Sequence, residues 1–162
     1  MLTHERLLEV LSYDKKTGAF TWLIQMSTRA KAGHRAGSIS HGRRSIQIDG
    51  TRHLSNRLAW FYVNGTWPQG VVDHKSTVAS DDTYDNLRDV TQRTNLENQQ
   101  RAPSHNKSCG LLGVTWHKYS RKWMAQIKVN RKQIHIGYFD TPEAGHAAYV
   151  AKKREVHAGC LI

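Results

Sequence analysis

The stretch that decides the fold covers residues 71–95 and reads V-V-D-H-K-S-T-V-A-S-D-D-T-Y-D-N-L-R-D-V-T-Q-R-T-N. Its apolar start, Val71-Val72, predicts a short strand that delivers a carboxylate and an imidazole side by side, Asp73 and His74. A polar loop follows, and a short helix that carries Asn95 is predicted after it. A strand, a loop and a helix in this order can bring Asp73, His74 and Asn95 together around one phosphate.

These residue types suit hydrolysis of a phosphate ester. The oxygens of Asp73 and Asn95 can bind a hard divalent cation, and His74 can take a proton from water near neutral pH. Taken alone, Asp73-His74 could be a surface dipeptide and Asn95 an ordinary exposed helix residue. Their coincidence with Asn86 in a basic chain favours the functional interpretation.

The polar loop between the strand and the helix is predicted to be structural. Asn86 fits that role because an Asn side chain can hydrogen-bond backbone groups and pin an irregular loop. Asp81, Asp82 and Asp85 lack the glycine and the terminal Glu of an EF-hand calcium loop, so a solvated loop is expected there.

The composition is that of a basic globular protein. The 162 residues, 38% hydrophobic and 23% charged, allow one or two small domains and no single large core. The net charge of +11 favours a polyanionic partner, the alternative being a generically basic soluble protein. Two cysteines, Cys109 and Cys160, are too few for a disulfide scaffold or a Cys-rich zinc site, so reduced thiols are expected. Since no apolar run approaches the roughly 20 residues of a membrane span and no signal-peptide pattern precedes the fold, no membrane partner is expected.

The first 65 residues predict a series of short elements. Thr3 is a plausible helix cap, and Asp49-Gly50 is typical of a type I′ turn between two strands. Residues 26–44 are rich in Arg, Lys, Gly, Ser and His, which favours an exposed basic loop that orders on a partner. The predicted elements are a helix at 3–12, a strand at 20–22, a hairpin at 43–54, and a helix from Leu58 that ends near Gly65.

A second domain is predicted to begin at Pro103, because the run P-S-H-N-K-S-C that starts there breaks any helix. The predicted domains are therefore 1–102 and 103–162. Residues 101–162 contain 11 Lys or Arg and 3 Asp or Glu, a net charge of +8, which leaves +3 for the first hundred residues. The C-terminal domain is the more strongly basic one.

The C-terminal domain is predicted to be a three-stranded antiparallel sheet with a helix on one face. Polar and apolar residues alternate along 114–119, 123–129 and 133–136, the pattern of strands with one buried face. Thr141 and Pro142 suit the start of the covering helix. The predicted buried face contains Val114, Trp116, Trp123, Ala125, Ile127, Val129, Ile134 and Ile136.

Because the covering helix can pack on only one face of this sheet, the opposite polar face is the predicted surface for the polyanionic partner, and the resemblance given below implies that this partner is DNA. A sheet face of this size fits a major groove roughly 12 Å wide. Gln126 and Gln133 can contact base edges, whereas Lys128 suits a phosphate. The predicted DNA-binding residues are Thr115, His117, Tyr119, Arg121, Gln126, Lys128, Gln133 and His135.

The stretch at 71–95 resembles a known family. Asp73-His74, an Asn-Leu pair thirteen residues after the Asp, and Asn95 nine residues further on follow the pattern of phage HNH homing endonucleases with the ββα-metal fold. Also typical of that family are L-S-Y-D at 11–14, T-G-A-F-T-W at 17–22, N-R-L-A-W at 56–60 and G-T-W-P at 65–68. The chain departs from it at Asn56, where many relatives have His, and at residues 75–78, K-S-T-V in place of Ile-Asn-Gly-Asp.

The C-terminal part resembles a second family, the plant AP-two/ERF DNA-binding domain. The resemblance lies in Gly113-Val114, in W-M-A-Q-I at 123–127 and in I-G-Y-F-D-T-P-E-A at 136–144. In that family the exposed face of the sheet enters the DNA major groove.

Together the resemblances imply an α+β protein in which a ββα-metal nuclease domain precedes an AP-two/ERF-like domain. They imply a site-specific endonuclease acting on double-stranded DNA, with Asp73, His74, Asn86 and Asn95 as its catalytic motif. Asp73 and Asn95 hold one Mg²⁺ or Mn²⁺ ion, His74 is the general base, and the products carry 5′-phosphate and 3′-hydroxyl ends.

The alternatives are a DNA-binding regulator whose nuclease fold is inactive, and an RNA-binding protein, which the likeness to a major-groove reader disfavours. The expected state is a monomer or weak homodimer in the cytoplasm of an infected bacterial host.

Overall fold

The structure, a computed structural model, describes residues 1–99, 102, 109–157 and 160. Backbone contacts group the chain into two compact units, Met1–Gln92 and Arg93–Ile162, and each unit is described by itself. The predicted start of the second domain at Pro103 lies outside the described residues, so the predicted domain boundary stays a prediction. Among the described residues, no helix combines the length and the apolar character needed to cross a membrane.

The first unit combines two helices with three small antiparallel sheets. Strands pair as β1-β2, β3-β4-β5 and β6-β7. A single 3₁₀ turn, Tyr84–Asn86, precedes the last strand. The elements are α1 His4–Val10, β1 Leu11–Asp14, β2 Ala19–Trp22, β3 Ser38–Ser40, β4 Arg43–Ile48, β5 Thr51–Leu54, α2 Ser55–Asn64, β6 Val71–His74 and β7 Leu87–Val90.

Local sequence signals account for the ends of these elements. The side chain of Thr3 accepts a hydrogen bond from the backbone N–H of Arg6, which caps α1 as expected. Asp49 and Gly50 have φ angles of 46° and 81°, as the predicted type I′ turn between β4 and β5 requires. Gly65 ends α2 with a φ of 70°, the left-handed conformation that a helix C-terminus favours.

An apolar core fixes the predicted site region to the rest of the first unit. Phe20 is fully buried beside Tyr13, with their ring centroids 4.7 Å apart. Val72 on β6 and Leu87 on β7 belong to the same core. Hydrophobic packing therefore anchors both β6, which carries Asp73 and His74, and β7, which follows the polar loop.

The prediction that residues 26–44 form a loop that orders on a partner is wrong for the second half, which is ordered within the fold, although most of its residues are exposed as predicted. Ala36 is fully buried, and its backbone N–H donates to the carbonyl of Phe20 over 2.7 Å. Residues 38–40 form β3, which pairs with β4 in antiparallel register. Backbone hydrogen bonds to neighbouring strands order this segment. Such bonds do not require apolar side chains at alternate positions, so the sequence pattern does not reveal the strand.

In the described residues of the second unit, a sheet is covered on one face by a long helix. The sheet is antiparallel with the order β10-β9-β8. The helix turns Gly145 and Tyr149 toward the sheet, and a Cβ on Gly145 would lie 3.3 Å from Val114, so the helix approaches closely. The elements are α3 Gln92–Glu97, which begins at the last residue of the first unit, β8 Val114–His117, β9 Lys122–Val129, β10 Lys132–Phe139 and α4 Pro142–Val156.

The sheet face predicted to be buried needs three corrections. A β-bulge between His135 and Gly137 makes Ile136 an extra residue, so the alternation resets there. Phe139 consequently pairs with Trp123 and takes the apolar side. Ile134 and Trp116 lie on the predicted side, on the two outer strands of the sheet, but remain 37% and 48% exposed.

Gly18 joins the β1–β2 turn to the polar loop, and its substitution tests that contact. A Cβ at Gly18 would lie 2.5 Å from the backbone carbon of Asp82, and the φ of Gly18 is +68°. We expect Gly18→Ala to lower the free energy of unfolding by the roughly 1–2 kcal/mol of left-handed strain plus about 1–3 kcal/mol for the overlap. Denaturant titration measures the loss.

Gly33→Ala is the matched control, because Gly33 has a φ of +77° and open space around its missing Cβ. It should show the conformational strain alone. Equal losses in the two variants would contradict the tight contact with Asp82.

Candidate active site at the β6–β7 hairpin

The site is built on the antiparallel pairing of β6 with β7. In this register Asp73 stands opposite Arg88 and His74 stands opposite Leu87. Because successive side chains of a strand point to opposite faces, Asp73 and His74 meet different neighbours. The two residues are neighbours along β6, as predicted, but their side chains point to opposite faces and contact different residues.

Asp73 is buried and forms an ion pair with Arg88. The Nε and Nη2 atoms of Arg88 lie 2.9 and 2.8 Å from Oδ2 of Asp73. Two charge-assisted hydrogen bonds on one oxygen fix the orientation of this carboxylate. Arg88 is a site residue that the sequence analysis missed, although a strand pairing around residues 73–88 would have placed it opposite Asp73.

His74 is 6% exposed and pairs with Asp82, which is 4% exposed. Its Nε2 atom lies 2.9 Å from Oδ1 of Asp82. The prediction of a solvated loop is therefore wrong for Asp82, although Asp85 is exposed. Eight residues separate His74 from Asp82 without a regular element between them, so no periodicity in the sequence identifies this pair.

Asn86 pins the loop from within, as its residue type suggested. Its Nδ2 donates to the carbonyl of Asp81 over 2.8 Å, and its Oδ1 accepts from the backbone N–H of Ser76 over 2.9 Å. The backbone N–H of Lys75 also donates to the carbonyl of Asn86. One side chain thus joins the start and the end of the loop next to His74.

Asn56 anchors the strand that carries Asp73. It is buried on α2, and its Nδ2 donates to the carbonyl of Val72 over 2.9 Å. Its Oδ1 accepts from the backbone N–H of Arg57. The side chain of Asn56 therefore holds β6 to α2.

The β1–β2 hairpin supports the loop from the other side. The hydroxyl of Tyr13 donates to the backbone carbonyl of Asp82 over 2.7 Å. Burial, and secondarily the negative charge of Asp82, raise the pKa of Tyr13 well above its usual range, so this hydroxyl keeps its proton. The backbone N–H of Tyr84 donates to the carbonyl of Lys15 over 3.0 Å.

Asn95 lies on α3 and belongs to the second unit, whereas Asp73, His74 and Asn86 belong to the first. Within the described ranges, no group of three or more His, Cys, Asp or Glu side chains could hold a metal ion. A carboxylate and an amide oxygen nevertheless fit Mg²⁺, which often takes one or two protein carboxylates and completes its shell with water and substrate phosphate. The donor chemistry of Asp73, taken by itself, is therefore suitable for such an ion.

The polar face of the second unit's sheet matches the predicted alternation and gains one residue. Thr115, Gln126, Lys128, Gln133 and His135 share this face through their strand pairings. His117 also lies on it, and its Nδ1 is 2.7 Å from the hydroxyl of Ser120 in the turn that contains Tyr119 and Arg121.

Tyr138 is the residue that the bulge adds to this face. Its ring centroid lies 5.1 Å from that of His117 and 4.7 Å from that of His135. In the turn between β8 and β9, Tyr119 is 93% exposed. The face thus combines aromatic rings with the basic side chain of Lys128 and the amide side chains of Gln126 and Gln133.

Comparison with known proteins found one protein family whose sequence model matches the region around the β6–β7 hairpin. Residues 54–97 match the family of HNH endonucleases, a range that contains α2, β6, β7 and α3. The match supports an HNH nuclease, and nucleases of this kind generally use a divalent metal ion. No curated protein and no solved structure is significantly similar to the chain.

Replacement of Asn86 tests the pinned loop. We expect Asn86→Ala to lower the free energy of unfolding by about 1–3 kcal/mol, because two backbone groups lose their partner. Hydrogen exchange at the backbone N–H of Ser76 should become faster. Asp85→Ala, in the same turn but with an exposed side chain, should stay within about 0.5 kcal/mol of wild type. Equal stability of the two variants would contradict a pinning role for Asn86.

Proposed function

We propose that this protein is a divalent-metal-dependent endonuclease that hydrolyses phosphodiester bonds of double-stranded DNA at selected sites. The observation that carries the proposal is the match of residues 54–97 to HNH endonucleases, on a hairpin where Asp73 and His74 are both buried and held by named partners. The resemblance of the 71–95 stretch to phage homing endonucleases supports site-specific cutting.

In the proposed reaction His74 takes the proton of the attacking water. Asp73 and Asn95 would hold one Mg²⁺ or Mn²⁺ ion through oxygen atoms. Such an ion supplies positive charge at the scissile phosphate and at the departing 3′ oxygen. Arg88 keeps the carboxylate of Asp73 in a fixed orientation, and Asn86 keeps the loop after His74 in place.

The second unit is proposed to select the DNA site. Its polar sheet face is proposed to enter the DNA major groove, and the C-terminal residues from 101 have a net charge of +8. Lys128 is exposed on that face beside Gln126. The likeness to AP-two/ERF domains supports this division of labour.

Replacement of the proposed base tests the chemistry. Wild-type protein should cleave supercoiled plasmid with Mg²⁺ or Mn²⁺ and should stop when EDTA removes the ion. His74→Ala should lower the cleavage rate by about 10²–10⁴-fold, the usual range for loss of a general base. DNA affinity should be nearly unchanged, because the imidazole acts on water. Gel analysis of cleavage and a filter-binding titration measure the two quantities.

His34→Ala is a suitable control, because it removes an exposed imidazole elsewhere in the same unit. It should cleave like wild type. Full cleavage by His74→Ala would overturn the assignment of the base, and full cleavage after exhaustive chelation would overturn the metal requirement. DNA binding without any cleavage by wild type would favour the regulatory alternative.

Two substitutions on the sheet face test site selection. Lys128→Ala should weaken binding to all sequences and reduce the slope of log affinity against log salt by about one, because one phosphate contact is lost. Gln126→Ala should instead relax preference at one base pair by about 1–3 kcal/mol. Selection of bound duplexes from a random DNA pool, followed by titrations over a range of salt, separates the two effects.

Lys152→Ala is the charge-matched control, because Lys152 lies on α4 and pairs with Glu155. It should leave the base preference unchanged. If Gln126→Ala and Lys128→Ala select the same duplexes with the same affinity as wild type, the sheet face does not read DNA.

A further inference from the structure

The hydrogen bond between His74 and Asp82 has a direction that chemistry determines. An ionised carboxylate can only accept hydrogen bonds, so Nε2 of His74 is the protonated nitrogen in the 2.9 Å contact with Oδ1 of Asp82. In the neutral imidazole the other nitrogen, Nδ1, is then the basic one. The contact therefore selects one tautomer of the ring as well as its orientation.

Asp82 is itself held by several independent contacts. The hydroxyl of Tyr13 donates to its carbonyl, and Gly18 packs directly on its backbone. Asn86 bonds the carbonyl of the preceding residue, Asp81. Because the β1–β2 hairpin and the loop both hold the backbone of Asp82, its side chain is placed for the contact with the imidazole of His74.

The position of Asp82 differs from that of the other loop carboxylates. Its side chain is 5% exposed and that of His74 is 7% exposed, so water does not compete for the bond between them. Asp85 is exposed, and the carboxylate of Asp81 accepts from the backbone N–H and hydroxyl of Thr83. Of the three, Asp82 is the one placed on an imidazole.

We propose that Asp82 is a positioning residue for His74, holding the proton on Nε2 so that Nδ1 accepts the proton of the attacking water. The proposal rests on the proposed nuclease function. A nucleophile or base that is oriented by a third group is a recurring arrangement in catalysis. During the reaction the proton moves from water to Nδ1, and the carboxylate of Asp82 stabilises the resulting imidazolium without taking a proton itself.

Two Asp82 variants with a matched control test the kinetic role. Asp82→Asn and Asp82→Ala should each lower the single-turnover cleavage rate by about 10²-fold, while DNA affinity changes little. Asp85→Asn removes the same charge from the same loop at an exposed position, and should cleave like wild type. Thermal unfolding of each variant identifies loss of fold.

A double-mutant cycle separates positioning from a purely structural role. In a His74→Ala background, Asp82→Asn should cause no further loss in rate, because Asp82 acts through the imidazole. Two-bond ¹H–¹⁵N spectra of the full chain should report a proton on Nε2 of His74 in wild type and a mixture of the two tautomers in Asp82→Ala.

The outcomes distinguish this proposal from the nuclease proposal. If wild type cleaves and Asp82→Asn cleaves equally fast, the role of Asp82 is overturned while the nuclease function stands. An Nδ1–H tautomer in wild type, or an equal loss of rate in the His74→Ala background, overturns it as well. If wild type does not cleave, the nuclease function fails and the role of Asp82 fails with it.

Discussion

The antiparallel register of β6 with β7 is the constraint on which the candidate site depends. It places Arg88 opposite Asp73, and the alternation of the strand then turns His74 toward a different neighbour, Asp82. A slip of one residue would exchange these surroundings and move Val72 out of the core. Register is therefore set by hydrophobic burial, and the two polar side chains receive their partners as a consequence.

The loop between these strands is polar, and side-chain hydrogen bonds hold it in place. Its polar groups bond within the loop through Asn86 and reach the β1–β2 hairpin through Tyr13. Buried polar groups destabilise a fold unless they are hydrogen-bonded, so each of these bonds disfavours loop conformations in which the bond is broken. The N-terminal hairpin, which contributes no residue to the proposed chemistry, thus belongs to the support of the site.

In the second unit, the alternation of polar and apolar residues predicts the two faces of the sheet along β8 and β9 but not along all of β10. Period-two alternation along β8 and β9 was sufficient to separate a covered face from a polar face. On β10 the bulge after His135 interrupts the period and brings Tyr138 to the polar face. A bulge adds one residue to one strand and does not require a particular residue type. The sequence therefore does not show where the bulge lies, and the face of each residue beyond it cannot be predicted from alternation.

The sequence by itself determined the features that depend on local chemistry. The cap at Thr3, the turn at Asp49-Gly50, the strand at Val71 and the helix after Thr141 all follow from propensity and periodicity. Only the tertiary structure decided which polar groups meet. Asp82 pairs with His74, Arg88 with Asp73 and Asn56 with Val72, because folding brings distant segments together at specific distances and no local pattern records that choice.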